Sequence, residues 1–98
     1  MCHVYRNTVH NNGHQFAPNE PQASGIFVAG IRNRIENNHC AYNKNGIYVA
    51  GQDNFVVSNS AIGNDLAYQL DAANNIVGPV VAGRGTISST NPWANFSN

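Results

Sequence analysis

The chain has 98 residues, enough for one small domain, and only 10% of them are charged, against about 25% in an ordinary soluble domain. Five basic residues balance five acidic ones, so no electrostatic footprint points to nucleic acid or an anionic membrane. No apolar run nears the roughly 20 residues of a membrane span. Met1 to Arg6 also lacks the basic start and apolar stretch of a signal peptide. Cys2 and Cys40 have neither the number of a disulfide framework nor the spacing of a metal site. They read as reduced thiols with Cys40 buried, and the sequence implies no metal or cofactor.

In chain order, the first segment carries Val4 and Val9 with Asn7 and Asn12 five residues apart. The same spacing returns at Asn38/Asn43 and Asn59/Asn64, which sets Val4 over Ile35 and Val9 over Cys40. Between Asn12 and Gly25 the chain is ten residues longer than between Asn43 and Gly46. The excess lies at 14–24, which holds Pro18 and Pro21 and reads as a loop inserted at a corner.

Residues 25–45 and 46–66 then superimpose without gaps at a period of 21 residues. Gly25/Gly46, Ile26/Ile47, Val28/Val49, Ala29/Ala50, Gly30/Gly51 and Asn33/Asn54 are among the matched pairs. Tyr68, Leu70, Asn75 and Val77 continue in phase through 67–82. Ile26-Phe27-Val28 and Ile47-Tyr48-Val49 are β-branched or aromatic triplets near glycines, and Arg34-Ile35-Glu36 and Phe55-Val56-Val57 form a second set. Alternation turns Ile26, Val28, Ile47, Val49, Tyr68 and Leu70 inward from the first strand, and Ile35, Val56 and Val77 from the second. Gly30/Gly51 and Asn33/Asn54/Asn75 are expected at turns with left-handed backbone angles. Frequent Gly and Asn exclude helices.

A period near 21 residues with two or three short strands predicts one coil of a right-handed parallel β-helix, an all-β solenoid of three to four coils in a single domain, 1–98. Equivalent residues then stack about 4.8 Å apart. Asn7, Asn38 and Asn59 are expected to form a side-chain amide ladder. After Gly78-Pro79 the phase is lost, and 83–98 is expected to be a capping tail whose Trp93 and Phe96 fold back over the last coil.

The repeats GIFVAGIRNRIENNHCAYNKN and GIYVAGQDNFVVSNSAIGNDL resemble those of bacterial right-handed parallel β-helix proteins of the pectate-lyase-like superfamily. The segments 74–81 and 91–96 are similar to the C-terminal end of such domains, and the likeness covers essentially the whole chain. The resemblance implies a secreted or cell-surface protein and makes a polysaccharide a possible partner. Enzymes of that superfamily need grouped carboxylates. Here Glu20, Glu36, Asp53, Asp65 and Asp71 fall at different coil positions, Asp53 opposite Arg32 and Asp65 opposite Lys44.

His39, next to His10 on the neighbouring coil and with His14 and Glu36, is a candidate acid–base or metal group, or simply a set of surface histidines. Phe55, Val57 and Ile76 are expected to face outward as an apolar strip, for self-association, for packing under the loop or tail, or for ligand contact. Phe27 and Tyr48 form a second outward column that, with His14 and His39, could hold a sugar, or that simply packs under the inserted loop. The chain opens inside a coil, which suits either a partner subunit or further coils of a longer chain. The expectation is therefore a non-catalytic module that self-associates as a homo-oligomer. The alternative is a carbohydrate-binding or carbohydrate-active fragment.

Overall fold

Each strand forms where two or three β-favouring residues stand between Asn- or Gly-containing corners, so the strands are short. The computed structural model describes residues 2–10, 24–71, 74–83 and 89–97. It holds β1 (His3–Tyr5), β2 (Thr8–His10), β3 (Ser24–Val28), β4 (Arg34–Glu36), β5 (His39–Ala41), β6 (Asn45–Val49), β7 (Phe55–Val57), β8 (Ser60–Ile62), β9 (Leu66–Leu70), β10 (Ile76–Val77), β11 (Val80–Ala82) and β12 (Asn95–Ser97). There is no helix among the described residues, and every strand pair is parallel. The protein is all-β.

Three sheets result. Sheet A runs β1-β4-β7-β10, sheet B runs β11-β12-β8-β5-β2, and sheet C runs β3-β6-β9. Their register follows the sequence spacing, with Ile26 beside Ile47 and Ile47 beside Tyr68 in sheet C. In sheet A, Val4, Ile35, Val56 and Val77 form one column. In sheet B, Val9, Cys40 and Ala61 form another. These columns meet in one core of Ile26, Val28, Ile35, Cys40, Ile47, Val49 and Val56, flanked by Val4, Val9, Tyr68, Leu70 and Val77. Ser24, placed by the sequence in the inserted loop, is instead the first residue of β3 and pairs with Asn45.

The corners share one design. A residue with positive φ is followed by an Asn that turns into the fold: Arg32, Asp53 and Asn74 precede Asn33, Asn54 and Asn75. Arg6, Asn37 and Ser58 precede Asn7, Asn38 and Asn59, and Tyr42 and Gly63 precede Asn43 and Asn64. This corrects the expectation that Gly30/Gly51 and Asn33/Asn54/Asn75 are left-handed, because the bend is taken one residue earlier. That frees each Asn to extend its amide along the stack. Gly51 serves close approach instead, since a Cβ there would lie 1.9 Å from the Gly30 carbonyl oxygen.

The amide ladder runs further than Asn7, Asn38 and Asn59. Asn7 Nδ2 donates to Asn38 Oδ1 at 3.1 Å, Asn38 Nδ2 to Asn59 Oδ1 at 3.0 Å, and Asn59 Nδ2 to Asn95 Oδ1 at 3.1 Å. Each acceptor also takes the backbone N–H of the preceding Asn. Asn33 and Asn43 form the same double contact with Asn54 and Asn64.

Asn95 reveals the second departure from the sequence reading. One period after Asn59 stands Val80, which has no amide. The chain therefore inserts β12 between β8 and β11, with Phe96 beside Ser60, so that Asn95 takes the vacant place in the column. Residues 95–97 are thus a strand of sheet B. Phe96 lies in the outward His39/Ser60 column, and Trp93 packs on the flank and stays 47% exposed.

Candidate functional site

The outer face of sheet A gathers the most varied chemistry. Its register makes two outward columns, His3–Arg34–Phe55–Ile76 and Tyr5–Glu36–Val57. Arg34 donates to Glu36 Oε2 from Nε at 3.0 Å and from a terminal nitrogen at 2.7 Å, while its guanidinium carbon lies 4.6 Å from the Phe55 ring centroid. His3 Nε2 lies 3.2 Å from Glu36 Oε1. The Arg34 hydrogen bonds hold the Glu36 carboxyl below its ordinary range, and desolvation opposes them. Beside these groups is a hollow of about 660 Å³ bounded by Cys2, His3, Arg32, Asp53, Phe55 and Ile76. A second of about 350 Å³ continues from Phe55 and Ile76 to Pro79 and Trp93.

The expected apolar strip is only partly realised. Ile76 is 62% exposed, but Val57, on the same outer face, is 1% exposed. The cause is the tail: Ser58 N–H donates to Trp93 O at 3.2 Å and Ser58 Oγ to Pro92 O at 2.7 Å, laying residues 91–94 along β7. Phe55 sits half-buried, edge-on to Trp93 with ring centroids 6.1 Å apart. Tail packing therefore covers Val57 and part of Phe55, and leaves Ile76 exposed.

Sheet C likewise offers less than its sequence promises. Phe27 is exposed, but Tyr48 is 8% exposed and meets Phe27 edge to face at 5.1 Å. Tyr48 Oη donates to Asp71 Oδ2 at 2.6 Å, and that bond, with desolvation, pushes the phenol above its ordinary value. Neither the ring nor the hydroxyl of Tyr48 is presented to a ligand. His39 Nδ1 is 2.7 Å from Ser60 Oγ, a cross-strand hydrogen bond in sheet B. His39 and Glu36 stand on different sheets, and Glu36 is engaged by Arg34 and His3, so the two are not brought together. His14 lies outside the described residues, as does Glu20.

Two further acids have side-chain partners: Lys44 Nζ meets Asp65 Oδ2 at 2.9 Å, and Gln69 Nε2 donates to Asp71 Oδ1 at 3.2 Å; Asp53 borders the larger hollow. Among the described residues no group of three His, Cys, Asp or Glu converges. Burial pushes the Cys40 thiol up to about 12, and burial likewise raises the phenol of Tyr68. The Tyr68 hydroxyl lies 2.8 Å from Phe96 O and 3.0 Å from Asn59 O, its one proton shared between the two carbonyls, and ties β9 to β12 across the core.

Sequence reasoning missed the Arg34–Glu36–His3 cluster, the Asp71 partner of Tyr48 and the place of Asn95. A signal for the last was present, since Asn95-Phe96 follows the pattern of Asn38-His39 and Asn59-Ser60. No known protein family, curated protein or solved structure matches the chain. No helix among the described residues is long and apolar enough to cross a membrane.

Proposed function

We propose that the chain is a right-handed parallel β-helix of the pectate-lyase-like kind, acting as a non-catalytic interaction module that self-associates. The β-helix reading is supported by strand order: apart from the inserted β12, the sheets take strands recurring every third place in the chain, with a 21-residue register from β4, β5 and β6 to β7, β8 and β9. The observation that carries self-association is that, among the described residues, β1, β2 and β3 are the end strands of all three sheets on the same side. Edges of this kind present backbone donors and acceptors that another strand can pair. The separate engagement of Glu36 by Arg34, Asp65 by Lys44 and Asp71 by Tyr48 supports a non-catalytic role, because acid–base hydrolysis of a glycan needs two carboxyl groups facing one bond. Sedimentation velocity tests the reading: a concentration-dependent dimer or larger species is expected. A folded monomer at all micromolar concentrations removes it.

A second reading, carbohydrate binding, draws on the hollow between Phe55 and Trp93, where an exposed indole adjoins the side-chain amide of Asn91. A glycan array probes it, with Trp93→Ala expected to abolish any signal. Silence across neutral and acidic polysaccharides ends it.

A further inference from the structure

We infer that Asn45 is a modification site held shut by the fold: it loses its amide when β6 opens, and the altered chain cannot refold. In an Asn-Gly pair the following backbone nitrogen has no side chain beside it, so it reaches the Asn side-chain carbon with the least hindrance. The sequence holds two such pairs, Asn45-Gly46 and Asn12-Gly13, the latter outside the described residues.

Packing imposes the first pair. A Cβ on residue 46 would lie 2.4 Å from Ala67 O and 2.9 Å from the Ala61 Cβ, so only glycine fits beside β8 and β9. Asn45 is 0% exposed, and its Nδ2 donates to Ser24 Oγ at 3.3 Å. One period away on either side stand Ser24-Gly25 and Leu66-Ala67, which carry no side-chain amide. The labile pair therefore occurs only in β6, the middle strand of sheet C, with β3 on one side and β9 on the other.

That placement blocks each step of the chemistry. The Gly46 nitrogen gives its proton to hydroxide and attacks the Asn45 side-chain carbon. Ammonia leaves, and water opens the resulting five-membered succinimide to aspartate or isoaspartate. Ring closure turns the Asn45 backbone out of the extended region, where its pairing with both Ser24 and Leu66 holds it. Gly46 is buried as well, which keeps hydroxide and water from the reacting atoms.

Neither product fits the site it came from. Aspartate puts a carboxylate where there is no exposure, at the cost of its hydration. Isoaspartate carries the chain through the side-chain carbon and lengthens β6 by one backbone atom. Ile47 and Val49, both in the core, then lose the phase that turns them inward.

Peptide mapping by mass spectrometry tests this on the whole chain, kept at mildly alkaline pH either folded or in denaturant. In denaturant, Asn45 and Asn12 are expected to convert at similar rates. In the folded chain Asn45 is expected to convert at least about a hundredfold more slowly, because only the opened fraction reacts. After denaturant is removed, chains modified at Asn45 are expected to stay out of the refolded fraction, and Asn45→Asp to lose the β circular dichroism spectrum. Asn45→Ser, which copies the side chain of Ser24, is expected to fold and to pass through repeated unfolding unchanged at this position. If Asn45→Ser fails to fold, the two wild-type rates decide. Equal rates in the folded and unfolded chain, or no conversion in denaturant, overturn the site. Modified chains that refold with the wild-type urea midpoint overturn the one-way outcome.

Discussion

At the scale of single residues, the buried amides hold the chain in register, and their value depends on place in the column. Asn59 is buried; its oxygen accepts two N–H groups of Asn38, and its nitrogen donates to Ile35 O and Asn95 Oδ1. Asn59→Ala leaves the Asn38 backbone N–H without an acceptor inside the core and opens a small void, and is expected to cost about 3 kcal/mol. Asn7 is exposed and gives up one contact, so Asn7→Ala is expected to cost less than about 1 kcal/mol. Urea midpoints of the two variants check the order, and equal losses would remove the column from the account of stability. The thiols divide in the same way. Cys2 is exposed, while burial holds Cys40 protonated up to about 12. One thiol should react with a disulfide reagent at neutral pH and two after unfolding. Glu36 gives a pH dependence of definite sign. Its folded pKa is depressed below the ordinary 4.5, so the stability it contributes is complete above that value and is lost as pH falls through the folded pKa. The urea midpoints of wild type and Glu36→Gln should differ at neutral pH and converge in strong acid. A gap that persists in acid would show that Glu36 acts by packing rather than charge.

At the scale of strands and corners, stacking makes equivalent positions unequal. Gly30 and Gly51 are one period apart, yet a Cβ at Gly51 would meet the Gly30 carbonyl at 1.9 Å, whereas one at Gly30 would meet only the Asn33 side-chain amide at 3.1 Å. Gly51→Ala must displace backbone and is expected to cost about 2 kcal/mol, and Gly30→Ala less than half of that. Thermal melts of both variants distinguish them. This asymmetry also marks what the sequence can convey. The columns Ile26/Ile47/Tyr68 and Ile35/Val56/Val77 are legible because side-chain alternation and a fixed spacing act on them alone. Val57 has the same outward phase as Glu36 and Tyr5, and nothing in its own segment tells that residues 91–94 return to lie along it. Tyr48 reads as a free ring for the same reason, because its acceptor, Asp71, lies outside the strand's periodic pattern. Local pattern fixes which face a residue takes, and only tertiary return decides whether that face stays open.

For the whole molecule, the question is whether the tail belongs to the cooperative structure or is merely fastened to it. Asn95 ends the amide column with bonds to Asn59, Val56 O and Gly78 O, and Tyr68 reaches across the core to Phe96 O. Gly78 lets the strand come this close, since a Cβ there would fall 1.7 Å from Trp93 O. These links join β12 to three parts of the fold, so releasing it would strand buried polar groups in each. Fastened segments behave differently, fraying at a free energy well below that of global unfolding. Trp93 is the one tryptophan in the chain and packs against Phe55 beside β12, so its fluorescence reports on the tail alone. An inserted strand predicts that the urea transitions seen by Trp93 fluorescence and by far-ultraviolet circular dichroism coincide. Phe96→Ala, on the outward side of β12, should then shift both curves together. If the fluorescence transition came first while the β signal held, β12 would be a detachable strap, and Asn95 could not be what completes the column in the folded state.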